Sequence, residues 1–306
     1  MYMPCCKSKE TKMEIKILAC VPKEIRQMLK HDMTGEVVMV NSSGVYLRFE
    51  EQIVFLCDIT WGLVPIGIAV DGFKRLVKQL CPEEGQAVTF SDNKLIFPNG
   101  TIYLEMEETI SKKECLRNPE KRHIEQAAVE LAALRKKHGI SMLVTPLVLG
   151  KDCNNVIGLN PYCAQAYPYF VRLMNVMCSG EEKEIRYCVD KMLGLGTGLT
   201  PSADDAMLGM LYVFRKLAQK SPEGVRFFRE SILELCESHT NRVSSAYLKA
   251  IIQGAYFERM EQVWNGLCGT KPLDISNLTQ VGSNSGAEML LGMLIALRIC
   301  GYDISK

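Results

Sequence analysis

Short apolar runs separated by turn residues characterise the first part of the chain. Turn clusters such as Asn41-Ser42-Ser43-Gly44 and Pro98-Asn99-Gly100 bound runs rich in Val, Ile, Tyr and Phe, a pattern typical of β-strands. The predicted strands are Met13–Cys20, Glu36–Val40, Gly44–Phe49, Gln52–Cys57, Leu63–Val70, Ala87–Phe90, Lys94–Phe97 and Thr101–Glu105, with a short helix at Phe73–Leu80. Many short strands predict a barrel or sandwich of about 100 residues.

The period of the apolar positions changes near Asn118-Pro119, where helical spacing begins. In Glu120–His138, apolar residues recur at intervals of three and four, which places them on one helical face. The later helical patterns are Ala164–Met177, Glu181–Leu193, Asp204–Gln219, Pro222–Glu237, Val243–Gln253, Phe257–Gly266, Asp274–Leu278 and Gly286–Cys300. The sequence therefore predicts an α+β protein with a disordered tail at 1–12, a β-rich domain at 13–115 and an α-helical domain at 116–306.

Composition excludes several classes of function. The 36 basic and 35 acidic residues leave a net charge of +1, which argues against a nucleic-acid-binding protein. No apolar run approaches the roughly 20 residues of a membrane-spanning helix, and the first residues show no signal-peptide pattern. The 13 cysteines have irregular spacing without a C-x-x-C pair, so we expect no metal site and a reducing, cytoplasmic setting.

The most unusual segment is a glycine-rich turn that leads into a helix. It runs Gly194-Leu-Gly-Thr-Gly-Leu-Thr-Pro-Ser-Ala-Asp-Asp205, and its alternate glycines permit positive φ angles and close approach to the backbone. Thr200 followed by Pro201 predicts an N-cap and first helical residue. The segment lacks both the G-x-G-x-x-G spacing and a G-K-[ST] sequence, so no nucleotide cofactor is expected.

The same pattern recurs further along the chain. Residues 200–215 align without gaps on residues 283–298, with six of sixteen positions identical, among them Gly209 and Gly292. An internal repeat of this kind suggests two related turn–helix units. We expect the two helix N-termini to face one pocket and the two glycines to allow a close helix crossing.

Backbone N–H groups and hydroxyls at two such helix starts favour a small anion, either a phosphate or a carboxylate. The candidate donors are Gly196, Thr197, Gly198, Thr200, Ser202, Ser283 and Ser285. The acidic residues Asp204, Asp205 and Glu288 would repel an anion, unless they accept N–H bonds from an amide, hold a cation or only complement the helix dipoles. Asp204 and Asp205 are the candidate catalytic residues.

A third polar segment, His239–Ser245, also opens a helical pattern. Arg242 is the best-placed guanidinium for an anion in this region, and Thr240, Ser244 and Ser245 can cap the helix. An ordinary capped surface helix explains the segment equally well.

At these residues the chain resembles a known family. The sequence Gly196-x-Gly198-Leu-Thr-Pro-Ser-x-Asp-Asp205 with Gly209 is similar to the signature of the AllH-like family, long known as a domain of unknown function. The segment Ser283-x-Ser285-Gly286 with Gly292, and Thr240 with Ser244, match the family pattern in the same order. This chain has Ala203 where the family usually has Gly, and it has Asn284 and Glu288 where Thr and Asp are common.

The resemblance implies a subunit of oxamate carbamoyltransferase in anaerobic allantoin and purine catabolism. The implied reaction transfers a carbamoyl group between oxalurate and phosphate, needs no cofactor and takes place in a multi-chain enzyme with partner subunits. The alternative is a non-catalytic subunit that binds a small anion or assists assembly, while a partner carries the catalytic residues.

Overall fold

The computed structural model describes residues 13–29, 32–107, 117–134, 138–151 and 160–302. The segment 1–12, for which a disordered tail is predicted, lies outside the described residues. The chain divides into two compact units, residues 1–111 and 112–306. The predicted α+β class, a β-rich region followed by a mainly helical one, is confirmed.

The described strands of the first unit form a closed barrel in the order β1-β5-β4-β3-β2-β6-β7-β8. They are β1 Met13–Cys20, β2 Met33–Val40, β3 Gly44–Phe49, β4 Gln52–Asp58, β5 Gly67–Val70, β6 Ala87–Ser91, β7 Lys94–Phe97 and β8 Gly100–Glu107. The first and last strands pair in parallel over their whole length and close the barrel. The structure thus decides for the barrel against the sandwich.

Side chains that point into the barrel fill its interior. Phe49, Phe90 and Phe97 are among the largest fully buried side chains of the described residues. They lie on three different strands, and the strand register places all three on the same face of the sheet, because inward and outward positions alternate. Burial of one such aromatic side chain contributes roughly 1.5–3 kcal/mol, so these residues form the core of the barrel.

The structure differs from the sequence-based expectations for this unit at two places. The strand predicted at Leu63–Val70 is only β5, because the chain turns before it with a bond from the Gly67 N–H to the Val64 carbonyl, and Pro65 has no N–H for a strand ladder. A short helix, α1 Lys23–Met28, was not predicted. The second helix, α2 Phe73–Leu80, has the predicted bounds.

The described part of the second unit is helical. Its helices are α3 Lys121–Ala133, α4 Val144–Leu147, α5 Pro161–Val176, α6 Glu182–Met192, α7 Ser202–Lys216, α8 Gly224–His239, α9 Arg242–Ile252, α10 Glu258–Leu267, α11 Ser276–Thr279 and α12 Ser285–Ile299. Each predicted helix starts within three residues of its observed start, whereas α4 was not predicted. Within the described ranges, no helix has both the length and the apolar character needed to cross a membrane.

The helices α7 and α12 form the centre of this unit. Every residue of α7 from Ser202 to Phe214 is buried, and so is nearly all of α12. A helix with buried residues on all sides must lie inside the domain. Acidic side chains on such a helix therefore lose their contact with water. The energetic cost of this burial depends on the hydrogen-bond donors that the surrounding protein supplies.

Candidate functional site

The central helices α7 and α12 touch each other at their glycines. A Cβ atom placed on Gly209 would lie 2.0 Å from the Met289 carbonyl oxygen, and one placed on Gly292 would lie 1.8 Å from that of Ala206. Ala206 and Met289 occupy equivalent positions of the repeat, so the two contacts are reciprocal. The expected close helix crossing at the two glycines is confirmed, and reciprocal contacts of this kind are those that a local pseudo-twofold axis between the repeat units produces.

The starts of the two helices lie side by side. The hydroxyls of Thr200 and Ser285, called here the hydroxyl pair, form a hydrogen bond of 3.0 Å. The expectation that Thr200 caps the helix is wrong, because Pro201 occupies the N-cap position and Ser202 is the first helical residue. A residue before proline is biased toward extended conformations, and this leaves the Thr200 hydroxyl available to bond across to the second helix.

The glycine-rich loop uses its conformational freedom. Gly194, Gly196 and Gly198 have φ angles of +79°, +132° and +96°, a region that other residues rarely adopt. A Cβ atom on Gly196 would lie 2.3 Å from the Ser202 nitrogen. The loop backbone therefore passes directly over the start of α7, which no residue with a side chain would allow.

Asp204 ties this loop to the start of α9. It accepts the Gly194 N–H at 2.8 Å through Oδ1, and through Oδ2 it accepts the hydroxyls of Thr240 and, at 2.6 Å, Ser244. Burial raises the pKa of Asp204, while these three bonds oppose the rise. Because both oxygens already have donors, the arrangement favours a positioning role for this residue.

In the third polar segment, His239–Ser245, the helix is capped by Asn241 and not by Thr240, Ser244 or Ser245 as expected. Asn241 accepts the N–H groups of Val243 and Ser244 at 3.0 Å each, and the Ser245 hydroxyl donates to a cysteine sulfur instead. Arg242 is exposed at the first position of α9. Within the part of the chain that the structure describes, its side chain forms no hydrogen bond or ion pair with the other candidate site residues.

Asp205 has a different environment from its neighbour Asp204. It is 1% exposed, and neither carboxyl oxygen has a hydrogen bond of normal geometry within the described structure. Burial, followed by the charge of Glu288, raises the pKa of Asp205 well above its usual range; the hydroxyls of Ser285 and Thr200 act in the opposite direction. Burial and the charge of Glu288 therefore favour the neutral, protonated form of Asp205.

Glu288 occupies the repeat position equivalent to Asp205 and is 2% exposed. Its Oε1 accepts the Ile140 N–H at 3.0 Å. The preceding Gly139 has a φ angle of +80°, and a Cβ atom there would lie 1.8 Å from the same oxygen. The side-chain amide of Asn160 holds this glycine by donating to its carbonyl at 2.7 Å. Gly139, Ile140 and Asn160 cannot be identified from the sequence as neighbours of Glu288, because the Ile140–Glu288 contact spans 148 positions and has no local signal.

The candidate residues thus form layers of different exposure. Asp205 and Glu288, called here the carboxyl pair, are buried, and the hydroxyl pair is half-buried. Gly196 is also half-buried, Ser202 is buried, and Thr197, Gly198 and Ser283 are exposed. In the described ranges no group of three or more His, Cys, Asp or Glu residues is placed to hold a metal ion.

We expect Asp204→Asn to destabilise the helical unit by about 1–2 kcal/mol. Asparagine keeps one acceptor oxygen, but it turns an N–H₂ group toward hydroxyls that now donate to Oδ2. Denaturant unfolding checks this, with Asp274→Asn as the control, because Asp274 accepts the Ser276 N–H in an exposed turn where asparagine serves as well. Equal stability of the two variants would contradict the role of Asp204.

Comparison with known proteins adds one finding to this geometry. The family model described as oxamate carbamoyltransferase subunit AllH matches residues 192–297. That range contains the glycine-rich loop, both repeat helices up to Leu297, and the carboxyl and hydroxyl pairs. No solved structure matches the chain. The resemblance noted in the sequence is confirmed: the segment 192–297, which carries the central helix pair, is similar to oxamate carbamoyltransferase subunit AllH.

Proposed function

We propose that this protein is a subunit of an oxamate carbamoyltransferase and binds a small anionic substrate where α7 and α12 begin. The observation that carries the proposal is that the family match coincides with the central helix pair: residues 192–297 contain both helix starts and both buried acids. Assembly with partner subunits is part of the proposal, because the family name describes a subunit.

The proposed reaction moves a carbamoyl group from oxalurate to phosphate. The bond from the carbamoyl carbon to the amide nitrogen breaks, and a bond from this carbon to a phosphate oxygen forms. The nitrogen takes up the proton that phosphate loses, and the products are oxamate and carbamoyl phosphate. The site must hold an anion and must stabilise negative charge on the carbamoyl oxygen during the transfer.

The helix starts supply the features that favour anion binding. Two positive dipole ends lie side by side there, since Thr200 and Ser285 are in contact. Their hydroxyls are donors for a carboxylate or phosphate oxygen. The charged side chains at this place are acidic, so affinity for the anion must come from dipoles, hydroxyls and neutral donors.

Asp205 is the proposed catalytic residue among the acids. A buried, protonated carboxyl can donate a hydrogen bond to an oxygen that gains charge, whereas an ionised one would repel it. Asp204 has no such freedom, because three donors hold its two oxygens. In this proposal Asp204 positions the loop and Asp205 acts on the substrate.

The alternative, a subunit that binds the anion without catalysing the transfer, also has an observation in its favour. Arg242, the basic residue predicted to contact the anion, is exposed and makes no described contact with the carboxyl pair. A carbamoyltransferase that handles phosphate often needs cationic groups, and a partner subunit would then have to supply them.

The test measures phosphate release from carbamoyl phosphate and oxamate. We expect turnover when the full chain is purified together with the subunits that a tag on it recovers. Asp205→Ala should lower kcat by about 100-fold, the usual loss for removal of one oxyanion donor. The control Glu230→Gln alters an exposed acid that pairs with Arg226 and should keep wild-type turnover.

The outcomes separate the two candidates. Turnover by the chain alone shows that it carries the catalytic groups. If turnover occurs only in the complex, the Asp205→Ala result shows whether this chain or a partner subunit carries those groups. Unchanged turnover of the Asp205→Ala complex assigns catalysis to a partner. No turnover in any form would refute the carbamoyltransferase proposal.

A further inference from the structure

The carboxyl pair is chemically asymmetric, although its two members occupy equivalent positions of the repeat. Glu288 receives a hydrogen bond from the Ile140 N–H. Neither carboxyl oxygen of Asp205 has a hydrogen bond of normal geometry within the described residues, although the side chain is almost completely buried and the Ser285 and Thr200 hydroxyls lie near it. A buried polar group without a partner is costly, so its retention at this position points to a ligand that supplies the missing partner.

The proton distribution in the pair follows from these contacts. The charged groups that act on Asp205 are Glu288 from α12 and Asp204 from its own helix, and both are acidic. Two neighbouring buried carboxyls resist ionising together, and the Ile140 N–H stabilises the ionised form of Glu288, which favours the proton on Asp205. Asp205 then offers an O–H donor, while Glu288 offers carboxylate oxygens, each with two lone pairs, as acceptors.

We propose that the carboxyl pair is a carbamoyl-binding subsite, in which Asp205 donates a hydrogen bond to the carbamoyl oxygen and Glu288 accepts one from the carbamoyl N–H. An amide group presents one acceptor and an N–H donor side by side, which complements an acid next to a carboxylate. This assignment rests on the proposed function and adds to it the groups that distinguish a carbamoyl group from an acyl group or a carboxylate.

Three small acids probe the subsite because they differ only in one group. Oxamate carries NH₂ where pyruvate carries CH₃ and oxalate carries a second carboxylate. We expect calorimetry on the full chain to show at least about tenfold tighter binding of oxamate than of pyruvate. This is the gain in affinity that one hydrogen bond from an N–H group to a carboxylate provides. Oxalate should bind more weakly than oxamate, because Glu288 repels its second charge.

Two variants should respond in opposite ways. In Glu288→Gln, an N–H₂ group replaces one acceptor oxygen while the remaining oxygen can still accept the Ile140 N–H, so the preference for oxamate over pyruvate should fall to within about threefold. Asp205→Asn keeps a neutral donor and should retain the preference. The matched control Glu234→Gln removes an exposed charge that pairs with Arg186 and should leave all three affinities unchanged.

An infrared measurement tests the proton on Asp205 without a ligand. The difference spectrum between wild type and Asp205→Asn at neutral pH should contain the carbonyl stretch of a protonated acid. A carboxylate band in its place would overturn the proposal. Unchanged tryptophan fluorescence of Trp264, which is fully buried in the helical unit, verifies that each variant is folded.

The remaining outcomes are also decisive. If oxamate and pyruvate bind equally to the wild type, or if Glu288→Gln keeps the preference, the subsite assignment is wrong even where the complex shows carbamoyltransferase turnover. Loss of oxamate binding by more than about tenfold in Asp205→Asn would show that an ionised Asp205 is needed, and would refute the donor role. Failure of the full chain to bind oxamate refutes the subsite, whereas absent turnover in the complex refutes the proposed function itself.

Discussion

Gly292→Ala should destabilise the helical unit by about 3 kcal/mol or more, although alanine is the better helix former. The higher helix propensity of alanine contributes only about 1 kcal/mol. This gain is outweighed by a steric clash, because the new Cβ atom would lie 1.8 Å from the Ala206 carbonyl oxygen. The Cβ atom is fixed directly to the backbone and the oxygen is part of it, so no side-chain rotation relieves the clash, and α7 and α12 must separate and lose packing.

This loss can be measured by denaturant unfolding in a Trp61→Phe background. The chain has two tryptophans, so Trp264 then reports on the helical unit alone. The control is Gly301→Ala, just beyond the end of α12, where the φ angle is +88° but no atom lies within 4 Å of the added Cβ. It should lose only about 1 kcal/mol from its left-handed backbone. Equal losses in the two variants would contradict the tight helix crossing.

Asp205→Asn should stabilise the folded protein, and the gain should grow with pH. Above pH of about 4, the Asp205 side chain of the unfolded chain releases its proton, whereas the folded chain keeps it because the pKa is raised by burial and by Glu288. The folded wild type therefore becomes less stable as the pH rises, by roughly 1.4 kcal/mol per pH unit up to the folded pKa. Asparagine does not titrate, so the free energy of unfolding of the variant does not fall with pH for this reason.

The measurement is the free energy of unfolding of wild type and variant between pH of about 4 and 8. The two should converge at the acidic end and diverge toward neutral pH, where the difference reaches several kcal/mol if the folded pKa lies above 7. Asp204→Asn is the matched control because its expected effect has the opposite sign. A destabilised Asp205→Asn at every pH would show that Asp205 is ionised in the folded state and has a compensating partner.

The sequence predicts local structure well where local patterns determine it. The strand bounds at Gly44–Phe49 and Lys94–Phe97 agree with the structure because alternating residues are closed by turn residues on both sides. The internal repeat predicts more than secondary structure: it led to the expectation that Gly209 and Gly292 lie at a helix crossing. A repeat constrains tertiary contacts because equivalent residues of two packed copies meet near the axis that relates them.

The different environments of Asp204 and Asp205 could not be predicted from the sequence. The two residues are adjacent, but consecutive side chains on a helix point about 100° apart. Asp204 meets hydroxyls from the start of α9, whereas Asp205 lies near Glu288 of α12. Which neighbour packs on which side of α7 is a property of the whole unit, and the Ile140 contact to Glu288 is equally non-local.

The pseudo-twofold relation between α7 and α12 has a consequence for molecular recognition. Two identical chains related by a true twofold axis must present identical groups on both sides of that axis. Here both copies belong to one polypeptide, so one position holds aspartic acid and its counterpart holds glutamic acid with a main-chain donor. In a covalently joined pair, a mutation can therefore change one repeat unit and leave the other unchanged. The two units can then present different chemical groups to a molecule whose own two ends differ.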